Sequence, residues 1–408
     1  MGKNIIVGQS GGPTSAINAS LAGVFQAAKS RNVPTIYGMV QGVAGLLDGR
    51  VMDLSTHLRN QLDIELLMRT PASFLGSCRY KLPDVAEDER PYRKLLEILQ
   101  KLDIGYFFYI GGNDSMDTIA KLSAYGAAVG SDIRFIGVPK TIDNDLVETD
   151  HTPGYGSAAK YIGVVMKEIV RDSVIYGIKN VVVVEIMGRN AGWLTGAAAL
   201  ARGEDCEGVD LIYLPEAAFD IDTFLSRVDQ LQREKAAVVI AVSEGIRLGD
   251  GRYVCELSEG KLKVDTFGHK YLAGAARFLS AQVGEHLGCK TRAIELSTLQ
   301  RCAGHVTSRT DVTEAFSAGS AAVKAAFEGH TGQMVALQRL SDAPYHCATR
   351  LHPVSEVANR EKRVPADWIT PDGSSVTEAF VNYARPLIQG EMTAIYVDGL
   401  PRHLHCEY

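Results

Sequence analysis

The sequence predicts an α/β protein built on parallel sheets, with its ligand sites beyond the carboxyl ends of the strands. Three observations carry that expectation. Short β-branched or aromatic runs recur along the chain, each followed by a turn and then a helical pattern. Several runs, Val181-Val182-Val183-Val184 among them, are apolar without alternation, the composition of strands buried on both faces. The turns after them are often glycine-rich, which lets backbone N–H groups approach an anion at the positive end of the next helix.

Ile5-Ile6-Val7 opens the pattern, and Ser10-Gly11-Gly12-Pro13 follows it. Pro13 near a helix start gives up an N–H that would be orphaned anyway, so a helix is expected over about 15–29. On the residues alone, Gly11 and Gly12 read equally as an anion-accepting turn and as a tight βα connection. Short β-like pieces at 35–38 and 50–52 precede a loop, Phe74-Leu75-Gly76-Ser77-Cys78-Arg79-Tyr80. Next, Tyr106-Phe107-Phe108-Tyr109-Ile110 is a strand that ends in Gly111-Gly112-Asn113-Asp114-Ser115, with helical pattern over 117–122. The run over 133–138 ends in Pro139-Lys140-Thr141-Ile142-Asp143-Asn144-Asp145. If the chain stays extended past Pro139, alternation puts Thr141, Asp143 and Asp145 on one side, a hydroxyl and two carboxylates facing one cavity.

A loop over 150–156 leads into a helix over 157–176, with Ile162, Val165, Met166, Ile169 and Val170 at core spacing. The strand over 181–186 runs into Met187-Gly188-Arg189-Asn190-Ala191-Gly192. A strand over 211–215, an amphipathic helix over 221–235 and a strand over 237–242 follow, the last reaching Ser243-Glu244-Gly245. A surface excursion over 248–268, a helix over 269–287 and a strand over 291–296 lead to Ser297-Thr298-Leu299-Gln300-Arg301-Cys302. A small-residue helix to 327, a strand over 334–337, a loop-rich stretch over 351–373 and a helix over 376–388 complete the pattern.

The chain has 408 residues, enough for two substantial cores. Apolar content of 46% and charged content of 22% fit a soluble globular enzyme. A formal net charge of −6 gives a nucleic-acid partner no electrostatic support, so phosphorylated ligands require a local basic pocket. No apolar stretch reaches membrane-spanning length. Seven scattered cysteines show neither a disulfide framework nor metal-ligand spacing and fit reduced thiols, so a cytoplasmic location is expected. Neither a Walker loop nor a dinucleotide fingerprint is present.

The two central motifs, in this order and spacing, resemble the phosphofructokinase family, which carries a Gly-Gly-Asp loop and a Pro-(Gly or Lys)-Thr-Ile-Asp-Asn-Asp loop. The resemblance runs from about Ile5 to Gly332. It implies two Rossmann-like parallel-sheet domains in a three-layer αβα arrangement: a phosphoryl-donor domain over 1–150, completed by part of the C-terminal segment, a fructose 6-phosphate domain over 151–332, and an extension over 333–408 packing on the core. It further implies reversible transfer of a phosphoryl group to the C1 hydroxyl of fructose 6-phosphate. Family members that use ATP generally have Gly at the positions of Asp114 and Lys140, whereas pyrophosphate users have Asp and Lys. The donor implied here is therefore pyrophosphate.

By the same resemblance, Asp143 is the base, with Lys140 and Arg189 also catalytic. Gly11, Gly12, Arg79, Gly112, Asp114, Ser115 and Lys140 bind the donor. Thr141, Ile142, Asp143, Met187, Gly188, Arg189, Glu244, Arg292, Thr298 and Arg301 bind the sugar phosphate, with either Arg292 or Arg301 reaching a neighbouring subunit in a homodimer or homotetramer. Mg2+ is the implied cofactor, held by Asn113, Asp114 and Asp145. Three positions depart from the family pattern: Asn113 stands for the usual metal-associated Asp, Thr298 for a His, and Asn180, beside Lys179, for a borrowed Arg. Two other readings stay open, an ATP-dependent member of the family and a non-catalytic sugar-phosphate-binding subunit.

Overall fold

The computed structural model describes residues 2–175, 177–258 and 272–405. Cys406, the end of the expected helix at 176, the helix start over 269–271 and the excursion over 259–268 lie outside them.

Strands β1 (Asn4–Gln9), β2 (Ile36–Met39), β3 (Val51–Asp53), β4 (Ile104–Gly111) and β5 (Arg134–Pro139) belong to one sheet. A second sheet holds β6 (Asn180–Ile186), β7 (Leu211–Tyr213), β8 (Ala237–Ser243) and β9 (Lys290–Glu295), in the order β9-β6-β8-β7, all parallel. The chain then returns to the first sheet as β10 (Gln333–Asp342) and β11 (Tyr345–Pro353), giving the order β11-β10-β5-β4-β1-β2-β3. In that sheet β3 and β11 run antiparallel at the two edges, and the inner pairs are parallel.

Both faces of each sheet are covered, which is why the strands lack a polar alternation. On the first sheet Ile5, Val7, Phe108 and Ile110 pack against α1 (Ile17–Lys29), while Ile6, Phe107 and Tyr109 face α2 (Arg90–Lys101) and α3 (Asn113–Ala128). On the second, Val182, Val184 and Ile186 meet α4 (Tyr155–Val174), and Val181 and Val183 meet α5 (Ile221–Glu234) and α6 (Ala275–Leu287). This is a three-layer αβα arrangement twice over.

Two expectations change on packing grounds, and the last helix is found where expected. Helix α7 (Arg309–Phe327), placed by the sequence reading with the 151–332 unit, packs on α1 and buries Ala318, Ala322 and Val323 against the first sheet. The two helices approach closely enough that a Cβ on Gly23 would lie 2.1 Å from the Phe316 carbonyl oxygen, and one on Gly319 2.1 Å from that of Ser20. The stretch over 351–373 begins inside β11, because β10 offers it an edge to pair with. The helix expected over 376–388 is present as α8 (Glu378–Ala384) running on into a 3-10 turn over Arg385–Ile388, and it inserts Phe380 and Ala384, both 0% exposed, into the second core.

Candidate active site

Strands β1, β4 and β5 are neighbours and parallel, so the turns at their carboxyl ends lie side by side. There the Lys140 N–H donates to the Gly111 carbonyl at 3.0 Å. Its ammonium donates to the carbonyls of Ser10 at 2.9 Å and Gly12 at 2.7 Å, and Ser115 Oγ donates to Ser10 Oγ at 2.9 Å. Gly11 has φ +76°, and its N–H donates to the Cys78 carbonyl, which draws the 74–80 loop over the turn. Lys140 is 2% exposed; burial pushes its pKa down to about 8, against the pull of Asp143 and Asp145, and the positive charges of Arg301 and Arg79 push the same way as burial. Arg301 Nη1 lies 3.6 Å from where a Cβ on Gly12 would sit.

Helix α3 starts at Asn113, four residues before the expected pattern, with Gly112 as its N-terminal cap. The Ser115 and Met116 N–H groups donate to the Gly112 carbonyl, both at 3.0 Å, which leaves those of Asn113 and Asp114 without an acceptor within the helix, the feature by which a helix start can take an anion. Asp114 is exposed on this first turn and Ser115 is buried. Among the described residues, the buried Asn113 Oδ1 has no hydrogen-bond partner.

The chain does not stay extended past Pro139. Asn144 takes φ +54°, a left-handed conformation, so Asp143 and Asp145 come together through a tight turn rather than through strand alternation. The turn is held from inside: Asn144 Nδ2 donates to Tyr383 Oη at 2.8 Å, Thr152 N–H donates to Asn144 Oδ1 at 3.0 Å, and Thr152 Oγ1 donates to the Thr141 carbonyl at 2.8 Å. The Asp143 N–H donates to Thr141 Oγ1 at 3.1 Å. Burial raises the Asp143 pKa, opposed by Lys140, the Thr141 hydroxyl and Arg189. Burial, with the negative charges of Asp143 and Glu361, pushes Asp145 up to about 7. Crowded carboxylates such as Asp143 and Asp145 suit an oxygen-seeking divalent cation.

Across from this turn, β6 and β8 end in the Met187-Gly188-Arg189 and Glu244 segments. Gly188 has φ +147°, and a Cβ there would stand 2.7 Å from the Ala191 carbonyl oxygen, so glycine is required. Ser243 Oγ donates to the Gly188 carbonyl at 2.5 Å. Burial, then Asp143, pushes Glu244 up to about 7. The Met187 N–H donates to the buried Gln300 Oε1 at 3.2 Å, so the 297–301 turn sets the 187–189 loop.

The chain matches the phosphofructokinase model over residues 4–326. It belongs to the phosphofructokinase family. It is 40% identical over 406 residues to the pyrophosphate–fructose 6-phosphate 1-phosphotransferase of Methylococcus capsulatus, covering 98% of this chain and 95% of the relative. The fold is similar to the crystal structures of pyrophosphate-dependent phosphofructokinases from Nitrosospira multiformis (TM-score 0.89) and Marinobacter aquaeolei (TM-score 0.87). Each is 38% identical, with 99% of this chain and 96% of the other covered.

Of the residues expected at a phosphofructokinase site, the structure gathers Gly11, Gly12, Lys140, Asp143, Asp145, Arg189, Glu244, Arg79 and Arg301 within electrostatic or van der Waals reach of one another. Arg301, expected on the sugar phosphate, stands beside Lys140 and the Gly11-Gly12 turn. Arg292 is not brought to the cluster within this chain. It sits early in β9, paired with Val182 rather than with the strand end, and its guanidinium meets Asp172 at 3.6 Å over a groove lined by Val165 and Ile169. Thr298 is exposed on the 297–301 turn. Asn180, in place of the borrowed Arg, is buried and donates to the carbonyls of Ile178 and Ser173.

Sequence reasoning missed Glu361, Lys362 and Tyr383, which the C-terminal segment brings against the 143–150 stretch. It also missed His151, clamped by Asp150 at 2.7 Å and Glu314 at 2.6 Å; burial opposes its charge, but these two partners outweigh burial and raise its pKa. No helix among the described residues is long and apolar enough to cross a membrane.

Proposed function

We propose that this chain reversibly transfers a phosphoryl group from pyrophosphate to the C1 hydroxyl of fructose 6-phosphate, giving fructose 1,6-bisphosphate and phosphate. The observation that carries the reading is Lys140, buried between two glycine turns and within electrostatic reach of Asp143. Asp143 accepts the C1 proton as the hydroxyl attacks phosphorus in line. Lys140, Arg79 and Arg301 neutralise charge on the transferring and leaving phosphates, with Gly11, Gly12, Gly112 and Ser115 supplying close backbone approach. Met187, Gly188, Arg189, Glu244, Thr141 and Ile142 orient the sugar, and Thr298 lies at its phosphate end. Arg292, at the outer edge of β9, serves the site of a second copy in a homodimer or homotetramer.

Asn113 Oδ1 and the Asp145 carboxylate would hold Mg2+, with Asp114 on the same helix turn. When bound, the ion supplies Lewis-acid neutralisation of the pyrophosphate oxygens. Asp114 puts a carboxylate where a longer donor would pass and so disfavours ATP, while Lys140 adds attraction for a donor without adenosine. The first sheet with residues 309–353 forms the donor half, the second sheet with α8 the sugar half, and the enzyme works in the cytoplasm.

The test is phosphorylation of fructose 6-phosphate with Mg-pyrophosphate and with Mg-ATP on one preparation, beside Asp143→Ala. Turnover only with pyrophosphate, lost in the variant, is expected. Turnover only with ATP would overturn the donor assignment, and an active Asp143→Ala the assignment of the base.

A further inference from the structure

Lys362 comes from a segment with no regular structure, yet its backbone is fixed at both ends. The Trp193 indole N–H donates to its carbonyl at 3.0 Å, the next-but-one residue Val364 is 3% exposed, and Asn190 Nδ2 donates to the neighbouring Glu361 at 2.8 Å. From this clamp the Lys362 N–H donates to the Asp145 carbonyl at 2.7 Å. The ammonium lies 5.2 Å from the centre of the Trp193 ring and donates to the carbonyls of Asp150 at 2.7 Å and Thr149 at 3.2 Å, with Asn144 Oδ1 at 3.5 Å.

The turn it touches is one that its own residues do not favour. Asn144 is left-handed at φ +54°, a conformation that asparagine tolerates but that its own side chain does not enforce here, since it is spent on Tyr383 and Thr152. Asp143 and Asp145 flank it and repel each other, and Glu361 adds a third negative charge. A half-buried cation with several donors, tied to Trp193 and Asn190 at the second sheet, answers both difficulties.

We propose that Lys362 is a positioning residue for the Asp143-Asn144-Asp145 turn: its ammonium and peptide N–H hold the turn in the shape that presents Asp143, and its charge offsets that of Asp145. The inference rests on Asp143 being the base. Truncation misplaces Asp143 without removing a contact to either substrate, so kcat falls and KM stays.

The experiment is steady-state kinetics with Mg-pyrophosphate and fructose 6-phosphate for Lys362→Met, and for Lys362→Cys before and after alkylation with 2-bromoethylamine. Wild type alkylated in parallel controls for the native cysteines. Expected are a kcat loss of about 100-fold, KM values within about threefold, and recovery of at least about tenfold in kcat once the aminoethyl group restores the ammonium. A Lys362→Met kcat within about threefold of wild type, a raised KM at unchanged kcat, or no recovery on alkylation would overturn the proposal. If Lys362→Met fails to fold by thermal melting, the cysteine variant, read before and after alkylation in one preparation, decides alone. Asp143→Asn run alongside separates the two failures: full activity there removes the base assignment on which the inference rests, whereas an inactive Asp143→Asn beside a Lys362→Met of unchanged kcat removes the role of Lys362 alone.

Discussion

Lys140→Met should weaken the reaction and stabilise the resting protein at neutral pH. In the folded chain the Lys140 pKa falls from 10.5 to about 8, chiefly through burial. The charged form is therefore disfavoured on folding by about 3 kcal/mol. The unfolded lysine stays charged until 10.5, so this penalty is fully present below about pH 8 and relieved between about 8 and 10.5. Methionine removes the penalty but leaves the Ser10 and Gly12 carbonyls without their donor, a loss of about 1 kcal/mol each. The net expectation is a gain of about 1 kcal/mol at pH 7 that vanishes near pH 9 and becomes a loss of about 1 kcal/mol by pH 10, where the wild-type penalty is largely relieved but the two carbonyls still lack a donor, read by urea unfolding of wild type and variant across pH. With pyrophosphate, kcat/KM at pH 7 should fall about 100- to 1,000-fold, the loss of one charge-stabilising donor, and the gap should narrow above about pH 8 as wild-type Lys140 deprotonates. A variant that is less stable than wild type at pH 7, or one that retains its kcat/KM, would refute the reasoning.

Asp114→Gly removes the exposed carboxylate from the first turn of α3 and should give measurable turnover with Mg-ATP, read by a coupled assay, while lowering kcat/KM for pyrophosphate. Gly188→Ala places a Cβ 2.7 Å from the Ala191 carbonyl oxygen at φ +147°; a melting-temperature drop matching about 1–3 kcal/mol is expected, with a raised KM for fructose 6-phosphate and an unchanged KM for pyrophosphate. Asn113→Asp converts a partnerless amide oxygen into a carboxylate, so titration with Mg2+ alone should raise the melting temperature of the variant more than that of wild type. An equal response in the two proteins would remove Asn113 from the cation site.

The parts legible in the sequence are local ones. The glycine turns at Gly11-Gly12 and Gly111-Gly112, the Lys140 loop and the glycine at 188 are contiguous stretches at strand ends, recognisable without knowing what they pack against. Buried strands such as 181–186 announce themselves because both faces are covered. The turn at Asn144 was misread as extended because a left-handed residue leaves no periodic trace, and β11 because its pairing needs an edge supplied by β10.

Sequence by itself determined the family, because its signature resides in unbroken segments of a dozen residues or fewer. Only the tertiary structure decided which distant charges meet: Arg301 beside Lys140, Arg292 turned to an outer edge, and Glu361 and Lys362 delivered to the Asp143 turn. Electrostatic coupling falls with distance in space and is indifferent to separation along the chain, so the pKa values of about 7 at Asp145 and about 8 at Lys140 exist only once the core has closed around them.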